Sequence, residues 1–288
     1  MASTLLRVSL SIHVQGTSNS CRKSFKGTRT NYSMVSACMS DDPHVLEAAK
    51  HAVNTYVKSG MVVGLGTGRA STLIIKELGQ QLKVGNLKDI VGVPMSTSGA
   101  TEAAKAGVPL DNNIHTTDFA FDDADAIEEG TVAAVIGRRK LQESESIILE
   151  KSILKATDNL VLIINKQKYV GKLDGSIPVL VRTAGWMETA EQIDDTFLGD
   201  AEVWRRSSYG HAGPLGGDFP LVTKEGHNIL DVIFTSPIMD LAKVAKSLEK
   251  IDGVVDHGII YGIPCRAVIA SRQGLETVTN LARNAVRS

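Results

Sequence analysis

The chain reads as an α/β protein: a Rossmann-like, mainly parallel sheet with helices on both faces, joined to a smaller α+β unit. Three observations predict this. Short apolar runs alternate with amphipathic stretches from residue 43 to about 170, the strand–helix repeat that a parallel sheet requires. A glycine-rich turn, Gly64-Leu65-Gly66-Thr67-Gly68, joins the first of those runs to a helical stretch. A composition 43% hydrophobic and 22% charged, with 26 glycines, suits a packed domain with many tight turns.

Taken in order, Asp42 and Pro43 form an N-cap followed by proline at the first helical position. Val45, Ala49, Ala52, Val53 and Tyr56 then recur at helical spacing, and Gly60 stops the run. Residues 61–65 form a strand, 71–82 a helix and 90–93 a second buried strand. Ser96, Thr97 and Ser98 make a polar turn before a helix over 101–106. A third strand over 119–121 ends in Asp122, Asp123 and Asp125; a helix over 144–156 and a strand over 160–164 follow.

Beyond Lys168 the pattern changes. A strand over 177–181 and a helix over 188–197 lead to a strand over 201–206. Residues 219–223 and 229–234 flank a turn with a hairpin signature. An amphipathic stretch over 242–248 is ended by Gly253. This block is a small α+β, ferredoxin-like lid, and 254–270 reads as further strand returning to the main sheet. The expected layout is a leader over 1–40, a Rossmann-like catalytic domain over 41–170 and 254–288, and the small domain over 171–253.

The first 40 residues differ from the rest. They hold nine Ser, four Thr and five Lys/Arg, with no Asp or Glu. A Ser-rich, basic, acid-free leader is the composition of an organelle transit peptide, and the excess of Ser and Thr over Arg favours the chloroplast. Five of the 31 basic residues and none of the 32 acidic ones lie there, so the remainder carries a net charge of −6. That balance argues against a nucleic-acid partner, and no apolar stretch approaches the ~20 residues of a membrane span. Cys21 and Cys38 fall in the leader, leaving Cys265 alone in an apolar run, where it reads as a small buried hydrophobe.

Three places carry chemistry. The loop from Gly64 to Thr72 sits between a strand and a helix, where backbone N–H groups and a helix N-terminus can face an anion. Arg69 stands where a dinucleotide fingerprint wants its third glycine, and the Lys-Ser/Thr of a P-loop is missing. The loop therefore suits one phosphate, with Gly66, Thr67, Gly68, Arg69, Ala70 and Ser71 around it, or it is simply a tight turn packed through glycine. Asp122, Asp123 and Asp125 lie at a strand's carboxyl end, where open α/β sheets bind ligands; a solvated acidic loop is the plainer alternative. Glu150 lies three residues after Ile147 and four before Leu154, on an otherwise apolar helix side. A carboxylate there has its pKa raised towards the working range of a general base, unless a salt bridge to Lys151, Lys155 or a neighbouring segment of the chain engages it.

In this order these segments resemble the ribose-5-phosphate isomerase family of type A. The match runs through Gly64-Leu65-Gly66-Thr67-Gly68, Gly92-Val93-Pro94 with Ser96, Asp122-x-Ala124-Asp125, Glu150-Lys151, and Asp158 through Lys168. It continues through Ile177-Pro178-Val179, Gly226-x-Asn228-Ile229-Leu230-Asp231 and Gly253-Val254-Val255-x-x-Gly258, spanning residues 43–272. The resemblance implies an enzyme that interconverts ribose 5-phosphate and ribulose 5-phosphate through an enediolate, without metal or organic cofactor, as a homodimer. It implies Glu150 as the base, Asp122 and Asp125 on sugar hydroxyls, and residues 67–70 with Lys168 on the phosphate.

Four departures stand out. The signature's Gly is Asp123 and its Glu is Ala126; Arg69-Ala70 displaces Ser71-Thr72 by one position. The family's Lys-Gly-x-Gly segment falls on Leu141, Gln142, Glu143 and Ser144. Lys140, in Gly137-Arg138-Arg139-Lys140, is the candidate for the missing cation. A sugar-phosphate-binding relative without catalysis is the alternative these departures suggest.

Overall fold

The computed structural model describes residues 43–111, 117–138, 146–208, 213 and 219–280, all within one compact unit, Cys38–Ser288. The expected leader lies outside the described residues, as does most of 207–218. Along the chain run α1 (Pro43–Tyr56), β1 (Val62–Leu65), α2 (Arg69–Val84), β2 (Val91–Pro94), α3 (Thr97–Ala106) and β3 (Phe119–Asp123). Next come β4 (Ala126–Glu128), β5 (Ala134–Val135), α4 (Ile147–Ala156), β6 (Leu160–Asn165), a 3-10 turn (Lys166–Lys168) and β7 (Tyr169–Val170). Then follow β8 (Leu173–Arg182), α5 (Trp186–Thr196), β9 (Ala201–Arg205), β10 (His227–Ile238), α6 (Leu241–Leu248) and β11 (Val254–His257). The last strands are β12 (Ile259–Ile260), β13 (Cys265–Ser271) and β14 (Gly274–Asn280).

Six strands form the main sheet in the order β14-β13-β6-β3-β1-β2, parallel except for β14. Its strands are apolar on both sides because helices cover both faces. Leu160, Leu162 and Ile164 join one core with Ile153 and Leu154 of α4. Val161 and Ile163 join the other, with Ala49, Val53, Ile74 and Leu78 of α1 and α2. The two-residue period of the strand thus divides one apolar run between two cores. The chain passes from β1 outward to β2, then back across β1 to β3. Helix α2, after β1, joins one core and α4, after β3, joins the other, so the connections from β1 and β3 leave for opposite faces and open a crevice at the carboxyl ends of the strands.

The second sheet, β11-β8-β10-β9, is antiparallel and receives α5 and α6 in the order β-α-β-β-α-β. A third, small sheet runs β12-β5-β4-β7.

Several elements differ from expectation for identifiable reasons. Residues 96–98 are not a turn ahead of a helix at 101: the Ser96 hydroxyl accepts from the Gly99 N–H at 3.0 Å and starts α3 at Thr97. Ser146 likewise accepts from the Leu149 N–H at 3.1 Å, so α4 begins at Ile147. Residues 219–223 form no regular strand: Val222 bridges Asn228 across the expected turn, while Pro220 bridges Ser207 and the Leu221 N–H donates to the Arg206 carbonyl. Val254–His257 pairs with β8 in the small sheet, so the return to the main sheet comes at β13. Helix α6 ends at Leu248, and Gly253, at φ +89°, belongs to the turn after it. Cys265 is buried as expected, and burial pushes its thiol up to about 11.

Candidate functional site

Topology brings the three chemical places to one edge. The parallel strands β1, β3 and β6 point their carboxyl ends the same way, so Gly66–Arg69, Asp122–Asp125 and Lys166–Lys168 lie along one rim. Helix α4 precedes β6 and runs back against it, so its first turn, with Glu150, belongs to the same rim. Gly64 lets α4 close onto the sheet: Ile153 Cγ2 lies 3.0 Å from where a Cβ on residue 64 would stand.

The loop after β1 is built around main-chain contact. A Cβ on Gly66 would stand 2.3 Å from the Phe121 carbonyl oxygen and 2.7 Å from Asp122 Cα. Backbone cannot move aside as a flexible side chain can, so Gly66→Ala is expected to destabilise the chain by about 2–3 kcal/mol in urea unfolding and to displace Asp122. Asp122 is fully buried, and its Oδ1 accepts from the N–H groups of Thr67 (2.8 Å) and Asp123 (2.9 Å). Thr67 is buried too, and its hydroxyl has no hydrogen-bond partner among the described residues.

Asp123 does something the loop's sequence does not announce. Its Oδ2 accepts from the Ala70 N–H at 2.9 Å, and its Oδ1 accepts from the Ser71 N–H and the Ser71 hydroxyl, both at 2.7 Å. The N-cap of α2 is Gly68, which has no side chain to offer, so an acid from β3 satisfies the exposed amides and the positive helix end. Ala70 and Ser71, expected to face a phosphate, are therefore held by an internal carboxylate. Arg69 is exposed. Lys168 is half-buried and closes the 3-10 turn after β6.

Asp125 Oδ2 accepts from the Arg138 N–H at 2.8 Å. That segment is pinned from behind: the Gly137 carbonyl accepts from Arg206 Nη1 at 2.9 Å, and Arg206 is a bidentate partner of Asp231. Arg206 is a positioning candidate that reading the sequence missed; an arginine closing an apolar strand run was its one signal. Lys140 lies outside the described residues, two positions beyond Arg138.

Glu150 is 2% exposed. Lys151 is engaged elsewhere, with Asp256, the His257 carbonyl at 2.7 Å and His257 Nδ1 at 3.4 Å, which ties α4 to β11. Lys155 is exposed. Burial lowers the Lys151 pKa against the pull of Asp256. Burial, then the Lys151 charge, pushes His257 down to about 4, with Asp256 and Glu249 opposing. The fold thus holds His257 neutral. Above its ordinary value of about 6.5 this has no effect on stability. Between 6.5 and 4 the unfolded chain gains a proton that the folded chain refuses, so up to about 3 kcal/mol of stability is lost as pH falls. Urea unfolding at pH 7 and pH 4.5 is expected to show a smaller drop for His257→Gln than for the unaltered chain.

With this geometry in place, comparison with known proteins is specific. The family model of ribose 5-phosphate isomerase A (phosphoriboisomerase A) matches residues 91–274. A ribose-5-phosphate isomerase A of Synechococcus sp. (strain JA-3-3Ab) is 33% identical over 244 residues, covering 83% of this chain and 99% of the relative. An Arabidopsis thaliana protein named probable ribose-5-phosphate isomerase 3, chloroplastic, is 31% identical and covers 85% of this chain and 86% of the relative. A solved D-ribose-5-phosphate isomerase in complex with phospho-erythronic acid shares the fold at a TM-score of 0.71 and 27% identity, covering 83% of this chain and 98% of that one. The motif order, the fold and these matches agree: the chain belongs to the ribose 5-phosphate isomerase A family.

Proposed function

We propose that this chain interconverts D-ribose 5-phosphate and D-ribulose 5-phosphate. The observation that carries the reading is the convergence on one sheet rim of the buried Glu150 and Asp122, the half-buried Asp125 and the loop of Thr67. In this reading Glu150 removes the proton from C2 of the open-chain aldose and returns it to C1 of the enediolate. Asp122 and Asp125 hold sugar hydroxyls and assist ring opening. Thr67, Arg69 and Lys168 face the phosphate end, and Lys140 supplies the cation for the enediolate oxygens, a contribution on the order of 10²–10³ in rate. A carboxylate at each of the three expected acid positions favours catalysis over a binding-only relative.

The test is direct: incubate the protein with ribose 5-phosphate and follow ketose formation. No turnover with sugar-phosphate binding intact would sink the reading. The leader supports a plastid location, as does a plant relative named chloroplastic; there the enzyme would serve carbon fixation or the pentose phosphate pathway. A fluorescent protein fused behind residues 1–40 is expected to enter plastids, and cytosolic retention would refute that placement. A homodimer is the assembly proposed, to be read from its mass in solution.

A further inference from the structure

We infer that Asp123 sets affinity for the substrate's phosphate, because its carboxylate occupies the anion seat at the start of α2. The inference deepens the isomerase reading and rests on it. A helix N-terminus with a glycine at its cap offers free N–H groups and a partial positive charge to an incoming anion. Here those groups already serve one. Ala70 N–H, Ser71 N–H and the Ser71 hydroxyl all donate to Asp123 at 2.7–2.9 Å. The hollow that Gly68 leaves is filled by the same group: a Cβ on residue 68 would stand 2.4 Å from Asp123 Oδ2. Two anions cannot share these donors, and like charges at that distance repel.

A second, independent feature marks the loop as a ligand contact rather than a sealed turn. Thr67 is 3% exposed, and its buried hydroxyl has no partner among the described residues, although a buried hydroxyl is normally hydrogen-bonded. A phosphate therefore meets Thr67 and the side chain of Arg69, and reaches the amides of Ala70 and Ser71 only by displacing Asp123.

The test is calorimetric titration of inorganic phosphate into the full chain and into Asp123→Gly and Asp123→Asn. Opening the seat is expected to tighten phosphate binding by roughly tenfold or more in Asp123→Gly, the size of one charge-assisted hydrogen bond. Asp123→Asn should fall between. It keeps the shape and one acceptor, so it decides the matter should the glycine variant loosen α2. Michaelis kinetics with ribose 5-phosphate should show a matching fall in KM with kcat little changed, a split that general loosening of the fold does not produce. Phosphate affinity unchanged or weaker in both variants overturns the assignment, whatever the turnover. Tighter phosphate binding in a chain that never isomerises ribose 5-phosphate upholds the seat and refutes the isomerase reading alone.

Discussion

Glu150→Gln is expected to lower kcat for ribose 5-phosphate by about 10³-fold or more while leaving sugar-phosphate affinity within a small factor. The substitution keeps volume and one hydrogen-bond acceptor and removes only the basic carboxylate. Glu150 is buried on α4, and three features fix that helix. Ser146 caps it, Ile153 packs over Gly64, and Lys151 clamps the following position to Asp256. The helix geometry therefore survives the change, and a loss of rate reports proton transfer rather than unfolding. Solvent-deuterium incorporation into the sugar gives a second readout and should vanish with turnover. Activity within tenfold of the unaltered protein would move the base to another carboxylate on the rim.

Much of this arrangement was legible in the residues because it is local. Apolar runs such as Leu160–Asn165 read as strands since both faces are covered, and the Ile147–Glu150–Leu154 spacing placed an acid on a helix's apolar side. Gly66 and Gly68 marked a close approach. What stayed hidden is tertiary. Asp123 meets Ala70 and Ser71 across 53 and 52 residues, and no periodicity says that an acid ending one strand will cap the helix after another. Acids adjacent in sequence take separate partners: Asp122 secures the loop, Asp123 the helix end and Asp125 the segment at Arg138. The hairpin expected at 219–234 closes only at its turn, where Val222 bridges Asn228 and the Thr223 N–H donates to the His227 carbonyl; residues 219–221 pair instead with 206–208, a partner that no turn signature announces.

Arg206 and Asp231 carry the largest expected effect on stability, and they join the small sheet to the rim. Both are 8% exposed, and Arg206 donates Nε to Asp231 Oδ2 at 2.9 Å while also reaching the Gly137 carbonyl. Asp231→Ala leaves a buried guanidinium with one carbonyl partner and is expected to lose about 3–5 kcal/mol in urea unfolding. The double variant Arg206→Met with Asp231→Leu removes both charges and fills the space, so most of that loss should return. Its turnover should not. The Gly137 carbonyl has then lost its donor, and the next residue, Arg138, gives Asp125 its backbone N–H. Asp125 is then held less firmly, and a misplacement of about 1 Å in a catalytic group can cost on the order of 10²-fold in rate. A double variant that is stable and slow assigns the ion pair a positioning role; one that is stable and fully active confines it to holding the fold together.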